Sequence, residues 1–106
     1  MSLLVWLIFV VAALLEVSGD AIIREGLRGR RPAFTVVGCV VLGCYGLVVN
    51  VVRWDFSKLL GVYIALFALT SIVYGRFVFQ ESIPMSTWVG AACIVVGGLV
   101  IQYGTK

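Results

Sequence analysis

Long apolar runs, separated by short polar connectors, form the pattern of this chain. The runs cover residues 3–23, 33–52, 59–79 and 87–103. An α-helix needs about 20 apolar residues to cross the hydrocarbon core of a bilayer. Each run therefore predicts a transmembrane helix, and the fourth, which is the shortest, fits with little tilt.

The connectors cover residues 24–32, 53–58 and 80–86. They are so short that consecutive helices are expected to run antiparallel. Two of them, "REGLRGRRP" and "QESIPMS", contain the turn formers Gly or Pro. No segment indicates a strand. The predicted fold class is therefore all-α integral membrane, with a single four-helix transmembrane domain over residues 1–106.

Composition supports this fold and excludes other classes. Of the 106 residues, 62% are hydrophobic and 12% are charged, which is too little polar surface for a soluble domain of this length. The net charge is +3, but the basic residues lie between apolar runs, as in loops that face headgroups. We therefore expect contact with membrane lipid and not with nucleic acid. The first run is expected to be retained, since no Lys or Arg precedes it.

Basic residues give a weak preference for orientation. With the N-terminus outside, the inner side would hold five of them: Arg24, Arg28, Arg30, Arg31 and Arg76. The outer side would hold three: Arg53, Lys58 and Lys106. The positive-inside rule favours the outside N-terminus only slightly, a bias that is compatible with insertion in both directions.

Two carboxylates interrupt the first apolar run. Glu16 lies about 20 Å along the helix from its start, and Asp20 and Arg24 follow at intervals of one turn on the same face. An acidic residue at that depth costs a few kcal/mol and is usually functional. Desolvation and the neighbouring Asp20 both favour the protonated form of Glu16, so this carboxylate could exchange a proton for a cation. The alternative is an internal salt bridge, with Arg24 or Arg76 as the counter-ion.

Small residues form a stripe on the fourth predicted helix. Gly90, Cys93 and Gly97 share one helical face, and small residues let membrane helices approach closely. We interpret the stripe as a dimer interface, the alternative being packing within one protomer. Gly38, Gly43 and Gly46 form a looser version on the second helix.

Other candidate residues are fewer. Tyr63, Tyr45 and Trp6 lie at membrane depth, where an aromatic ring could stack against a cation or simply pack. Arg76 could extend its side chain to the headgroups. The chain has no His, and its three cysteines form no C-x-x-C pair. We therefore expect no enzyme activity, no cofactor and no metal site.

The chain resembles the small multidrug resistance (SMR) transporters over nearly its whole length. The resemblance rests on size, four segments, "ALLEVSGD" around Glu16, Tyr63 early in the third segment, and "WVGAACIVVGGLVI" in the fourth. It implies that Glu16 binds protons and substrate cations, that Tyr63 contributes to that site, and that Gly90 and Gly97 lie in the dimer interface. The fourth segment and Arg76 also look like the YnfA-type branch of this superfamily.

Two departures from the SMR exporters concern the third segment. The exporters usually carry a Trp three residues after the Tyr, where this chain has Leu66, and a Gly-x-Gly bend, where it has Ala68, Leu69 and Thr70. Asp20 is a carboxylate that this chain has in addition to the exporters' pattern; we assign it with Glu16 and Tyr63 to the predicted substrate- and proton-binding residues, the alternative being an ion pair with Arg24 at the membrane interface. The resemblance therefore implies the fold, but not the exporters' aromatic drug-binding box.

The expected function is a proton-coupled antiporter in a prokaryotic inner membrane, which exports small or lipophilic cations. It would act as a homodimer, with antiparallel subunits favoured, and each subunit would offer Glu16 to a shared pocket. The alternatives are an accessory or lipid-translocating SMR-related subunit, in which arginines hold phosphate, and a structural partner without transport.

Overall fold

The computed structural model describes residues 3–104. Within that range four α-helices follow one another, with no strand: α1, Leu3–Arg28; α2, Pro32–Val49; α3, Phe56–Phe77; and α4, Met85–Tyr103. Each helix is long and apolar enough to cross a membrane. The predicted all-α membrane fold is confirmed.

Large apolar side chains remain on the outside of these helices. Leu3 is 75% exposed, Leu47 76% and Phe77 73%. Soluble proteins rarely show wide apolar patches to water, whereas the hydrocarbon of a bilayer accepts them. The exposed apolar surface thus agrees with helices whose outer faces contact lipid.

The first helix is longer than the apolar pattern predicts, because it ends at Arg28 and not at residue 23. Polar side chains such as that of Arg24 end the apolar run, but arginine is a good helix former and does not end a helix. The helix stops just before Arg30, which has a φ of 54°. Its 26 residues span about 39 Å. Glu16 therefore lies near the middle of α1, whereas the shorter apolar run places it closer to the C-terminal end.

The second helix begins one residue earlier than predicted and ends three residues earlier, at Val49. Pro32 stands in its first turn, where the missing N–H costs no hydrogen bond. Asn50 is the C-cap of the helix, and its side-chain Nδ2 donates a 2.8 Å hydrogen bond to the carbonyl of Gly46 in the last turn. An apolar run continues through Val51 and Val52, but the backbone hydrogen bonding of the helix does not.

The third and fourth helices also begin before their apolar runs. Asp55 takes the N-cap position of α3, so the helix starts at Phe56 and not at residue 59. Pro84 is extended at the N-cap of α4, so that helix starts at Met85 and not at residue 87. The left-handed φ of Gln80, 54°, lies in the connector that follows α3.

The helix α3 is continuous where the SMR exporters bend. Residues 68–70 are all helical, and the hydroxyl of Thr70 donates a 2.8 Å hydrogen bond to the carbonyl of Leu66 in the preceding turn. Ser71 donates likewise to the carbonyl of Ala68. Both hydroxyls are thus satisfied within the helix, as polar groups at membrane depth must be.

The chain divides into two compact units, one holding α1 and α2 and the other holding α3 and α4. In the first unit the two helices approach closely through glycines. A Cβ on Gly38 would lie 2.5 Å from Cγ1 of Ile23 and 2.8 Å from the carbonyl oxygen of Gly19. A Cβ on Gly26 would lie 2.5 Å from Oγ1 of Thr35. Only glycine allows these backbone approaches.

These contacts belong to a regular seam between the antiparallel helices α1 and α2. Its positions alternate in steps of three and four residues, which keeps one face of each helix turned to the other. Near the turn the contacts join Gly19, Ile23 and Gly26 of α1 to Thr35, Gly38 and Leu42 of α2. Extending the same spacing away from the turn adds Glu16, Ala12 and Phe9 on α1 and Tyr45 and Val49 on α2. Phe9 and Ala12 are fully buried and Val49 is 1% exposed, so the seam is closed at the end far from the turn.

The second unit packs in the same manner. A Cβ on Gly61 would lie 2.6 Å from Cδ1 of Ile101, and a Cβ on Gly98 would lie 3.2 Å from Cβ of Ala65. Ala91, two turns before Gly98, is also buried. Each of these α3–α4 contacts thus has a glycine on one of the two helices, as is typical of membrane helix pairs.

Candidate functional site

The carboxylate of Glu16 occupies a seam position of α1, near the middle of that helix. It lies one turn after Ala12 and Ala13, both fully buried, and it is itself half-buried. The seam therefore brings an ionisable group to the face of α1 that contacts α2. This placement is costly for a charge unless polar groups or a counter-ion stabilise it.

Tyr45 is the seam residue of α2 that corresponds to Glu16. Counting outward from the turn, the pair Glu16 and Tyr45 follows the pair Gly19 and Leu42, which are in contact. The carboxylate of Glu16 acts electrostatically on the Tyr45 hydroxyl. An acid and a phenol thus lie together inside one hairpin, with both an aromatic ring and a negative charge available to a cation.

The other two members of the predicted polar stripe lie outside the seam. Gly19 and Ile23 take the seam positions at their level, and Asp20 and Arg24 are exposed. The stripe of Glu16, Asp20 and Arg24 therefore turns outward along α1, from the helix contact to the surface.

Tyr63 and Arg76 belong to the other unit. Tyr63 is 2% exposed, and its ring centroid lies 6.5 Å from that of Phe67. Arg76 is exposed in the last turn of α3, with its guanidinium 5.7 Å from the ring centroid of Phe77. Their assignment to the Glu16 site remains a prediction.

The predicted interface residues of α4 lie away from its contact with α3. Gly90, Cys93 and Gly97 are exposed, and a Cβ on either glycine would meet no atom within 4 Å. The helix therefore carries two small-residue faces, one with Ala91 and Gly98 against α3 and one that is open. Packing against α3 does not explain the open face.

Comparison with known sequences identifies the family. The sequence profile described as "Uncharacterised BCR, YnfA/UPF0060 family" matches residues 2–106. This chain belongs to the YnfA/UPF0060 family. The resemblance of the sequence to the YnfA-type branch is thereby confirmed.

Individual members of the YnfA/UPF0060 family match over almost their full length. UPF0060 membrane protein sll0793 of Synechocystis is 30% identical over 94% of each chain. UPF0060 membrane protein YfjF of Bacillus subtilis is 25% identical over 100% of this chain and 99% of its own. A UPF0060 membrane protein of Staphylococcus carnosus is 33% identical over 91% of this chain and 90% of its own. No solved structure matches significantly.

The bacterial relatives and the four helices together define the location. All three relatives are named membrane proteins, and every helix of this chain can span a bilayer. This member of the YnfA/UPF0060 family is accordingly an integral membrane protein of the bacterial inner membrane.

Reasoning from the sequence did not single out Tyr45 as the neighbour of Glu16. A signal was present, because Ala12, Gly19 and Gly26 recur every seventh residue. Such a repeat of small residues indicates a helix–helix contact face, and Glu16 shares that face. On α2, counting in steps of three and four residues from Thr35, next to the turn, leads to Tyr45.

Proposed function

We propose that this protein is a proton-coupled antiporter that exports small or lipophilic cations, and that Glu16 binds both the proton and the cation. The observation that carries the proposal is the position of Glu16 in the α1–α2 seam, near mid-helix and beside Tyr45. A carboxylate within a membrane helix is costly and is therefore a functional candidate.

The mechanism is competition for one charged group. On one side of the membrane the protonated carboxylate gives up its proton and the ionised group binds a cation, and on the other side an arriving proton displaces that cation and restores the protonated form. The ring of Tyr45 supplies an aromatic face for a lipophilic cation. Asp20, exposed one turn further along α1, attracts cations towards Glu16, and Arg24, one turn beyond Asp20, is a candidate counter-ion when the site is empty.

We further propose that the protein works as a homodimer. The open face of α4 with Gly90, Cys93 and Gly97 is suited to close contact with the same helix of a second copy. Two copies would then offer two Glu16 carboxylates, and Tyr63 of each, to a shared pocket. An antiparallel pair has equivalent inward and outward states, so that alternating access needs no internal repeat.

The test is substrate-driven proton movement in liposomes that contain only the purified protein. A panel of lipophilic cations is added to one side and the proton flux is recorded. Glu16→Gln is expected to abolish coupled flux while the helix content remains unchanged. Glu25→Gln is the matched control, since Glu25 carries the same group on the same helix but is exposed near its end.

Three outcomes separate the alternatives. Flux that survives Glu16→Gln would overturn the carboxylate mechanism. Absence of flux with any cation would favour an accessory or structural subunit. Lipid translocation without cation flux would favour the lipid-translocating alternative.

A further inference from the structure

A second polar region lies at the end of the α3–α4 hairpin, around the connector between the two helices. There a groove of about 560 Å³ is lined by both apolar and charged side chains. Its polar and aromatic lining includes Arg76, Gln80, Glu81, Ser82, Phe77 and Trp88. A volume of this size is typical of small-molecule sites. All of these lining residues belong to the α3–α4 unit, whereas Glu16 belongs to the α1–α2 unit.

Glu81 is held in this groove by two contacts with Gly75. Its backbone N–H donates a 2.8 Å hydrogen bond to the carbonyl of Gly75. Its carboxylate lies over the same residue, with Oε1 2.5 Å from the place where a Cβ on Gly75 would be. The absence of a side chain at position 75 therefore makes the space that the carboxylate occupies.

Arg76 supplies the opposite charge on the same lining. It is exposed in the last turn of α3, and its guanidinium rests near the ring of Phe77. A guanidinium binds phosphate through paired hydrogen bonds, while a carboxylate binds a primary ammonium. The groove thus presents one group for an anion and one for a cation.

The surroundings of the groove are those of a membrane interface. It lies where α3 ends and α4 begins, at the ends of two candidate spans. Trp88, a residue type enriched at the interface, is 48% exposed, and the neighbouring Met85 is 74% exposed. A molecule in the groove would have its polar part beside the charges and its apolar part beside these side chains.

We propose that this groove binds the headgroup of an aminophospholipid, with the phosphate at Arg76 and the primary ammonium at Glu81. Phosphatidylethanolamine has both groups. Phosphatidylglycerol has the phosphate but no ammonium, and Glu81 would repel its negative charge. Phosphatidylcholine has a quaternary ammonium without an N–H to donate. The site is independent of the transport function proposed for Glu16.

The experiment measures lipid binding to the delipidated full-length protein in detergent. Each of the three lipids is added separately, and bound lipid is counted by native mass spectrometry. Phosphatidylethanolamine is expected to bind about fivefold more tightly than the other two, which corresponds to about 1 kcal/mol for one partly exposed charge pair. Equal binding of all three lipids would overturn the proposal.

Two charge substitutions test the assigned roles. Glu81→Gln is expected to remove the preference for phosphatidylethanolamine over phosphatidylglycerol. Arg76→Gln is expected to weaken both lipids, because both carry the phosphate. Arg53→Gln and Asp55→Asn, on the connector between α2 and α3, are the matched controls and should change nothing. A preference that survives Glu81→Gln, or that the controls also remove, would overturn the site.

Gly75→Ala tests the position of the carboxylate without removing a charge. The new Cβ would meet only the mobile end of Glu81 at close range, so we expect the hairpin to fold and the carboxylate to move. Loss of the lipid preference with unchanged circular dichroism supports the proposal. Unchanged preference would show that the placement of Glu81 over Gly75 does not select the lipid. Gly43→Ala, where a Cβ meets nothing within 4 Å, is the control.

Discussion

Glu16 of α1 and Tyr45 of α2 lie at corresponding positions of one seam, and the carboxylate acts electrostatically on the phenol. The two residues lie at the same level because the contact positions on both helices advance in steps of three and four residues away from the turn between α1 and α2. In the first unit, then, a single hairpin supplies both an acid and an aromatic ring.

The first prediction concerns the ring of Tyr45. Tyr45→Ala is expected to lower the affinity for a lipophilic cation about tenfold, because a desolvated cation–ring contact contributes about 1–2 kcal/mol. Tyr45→Phe keeps the ring and should stay within about threefold of the parent, a loss below 1 kcal/mol. Binding of a fluorescent lipophilic cation in detergent measures both.

The control for this prediction is Tyr103→Ala, which removes an exposed tyrosine near the end of α4. It should leave cation affinity unchanged. If Tyr45→Ala binds the cation as tightly as the parent, Tyr45 has no part in the site.

The second prediction concerns the glycine contact between α1 and α2. Gly38→Ala places a Cβ against backbone atoms of Gly19 and Ile23, which cannot move aside as a side-chain end can. The helices must separate, and the free energy of unfolding should fall by about 1–3 kcal/mol. Unfolding in mixed micelles with increasing SDS measures the change.

Gly43→Ala is the matched control on the same helix. Its Cβ meets nothing within 4 Å, and alanine favours a helix by up to about 1 kcal/mol over glycine. The variant should be as stable as the parent or more stable. Equal losses for both variants would mean that the seam is not where the helices are held together.

The sequence predicted the fold more fully than the site. The lengths of the apolar runs are enough to place four helices, because the thickness of the bilayer sets the length that a spanning helix needs. It does not place their ends, which depend on single residues such as the cap Asn50 and the left-handed Arg30. Glu16 could be found because a charged residue within a long apolar run is rare, whereas Tyr45 and Gly75 are ordinary residues until their partners in space are known.

The third prediction concerns the open face of α4. Gly97→Leu is expected to weaken the dimer without disturbing the α3–α4 hairpin, since position 97 points away from α3. Gly98→Leu should instead destabilise the hairpin, because that glycine lies against Ala65. Sedimentation in detergent reports the dimer, and unfolding in SDS reports the hairpin.

Cys93 offers a direct check of the same face. It is a free, exposed cysteine on α4, and oxidation should link two copies through it once Cys39 and Cys44 are replaced by serine. Cross-linking in the converse variants, which keep Cys39 or Cys44 and lack Cys93, would instead move the dimer contact to α2.

The last prediction concerns the direction in which the chain inserts. Five basic residues against three is a small bias, and the connectors are too short to impose a direction in another way. We therefore expect single copies to insert both ways and to pair antiparallel. A cysteine at Ser82, in the α3–α4 connector, should then react with an impermeant reagent from both sides of the membrane, in a background without Cys39, Cys44 and Cys93.

The competing result is a cysteine at Ser82 that reacts from one side only. The cluster of Arg28, Arg30 and Arg31 on one connector would then be sufficient to fix the orientation. A fixed orientation excludes an antiparallel pair of identical chains, because both copies would present the same connector to the same side. The inward-facing and outward-facing states of the dimer would then no longer be equivalent. An accessory role beside a differently oriented partner chain would become the better explanation. Adding two lysines after Asp55, on the opposite connector, distinguishes these cases: a dual-orientation chain should shift its labelling ratio strongly, and a fixed chain should not.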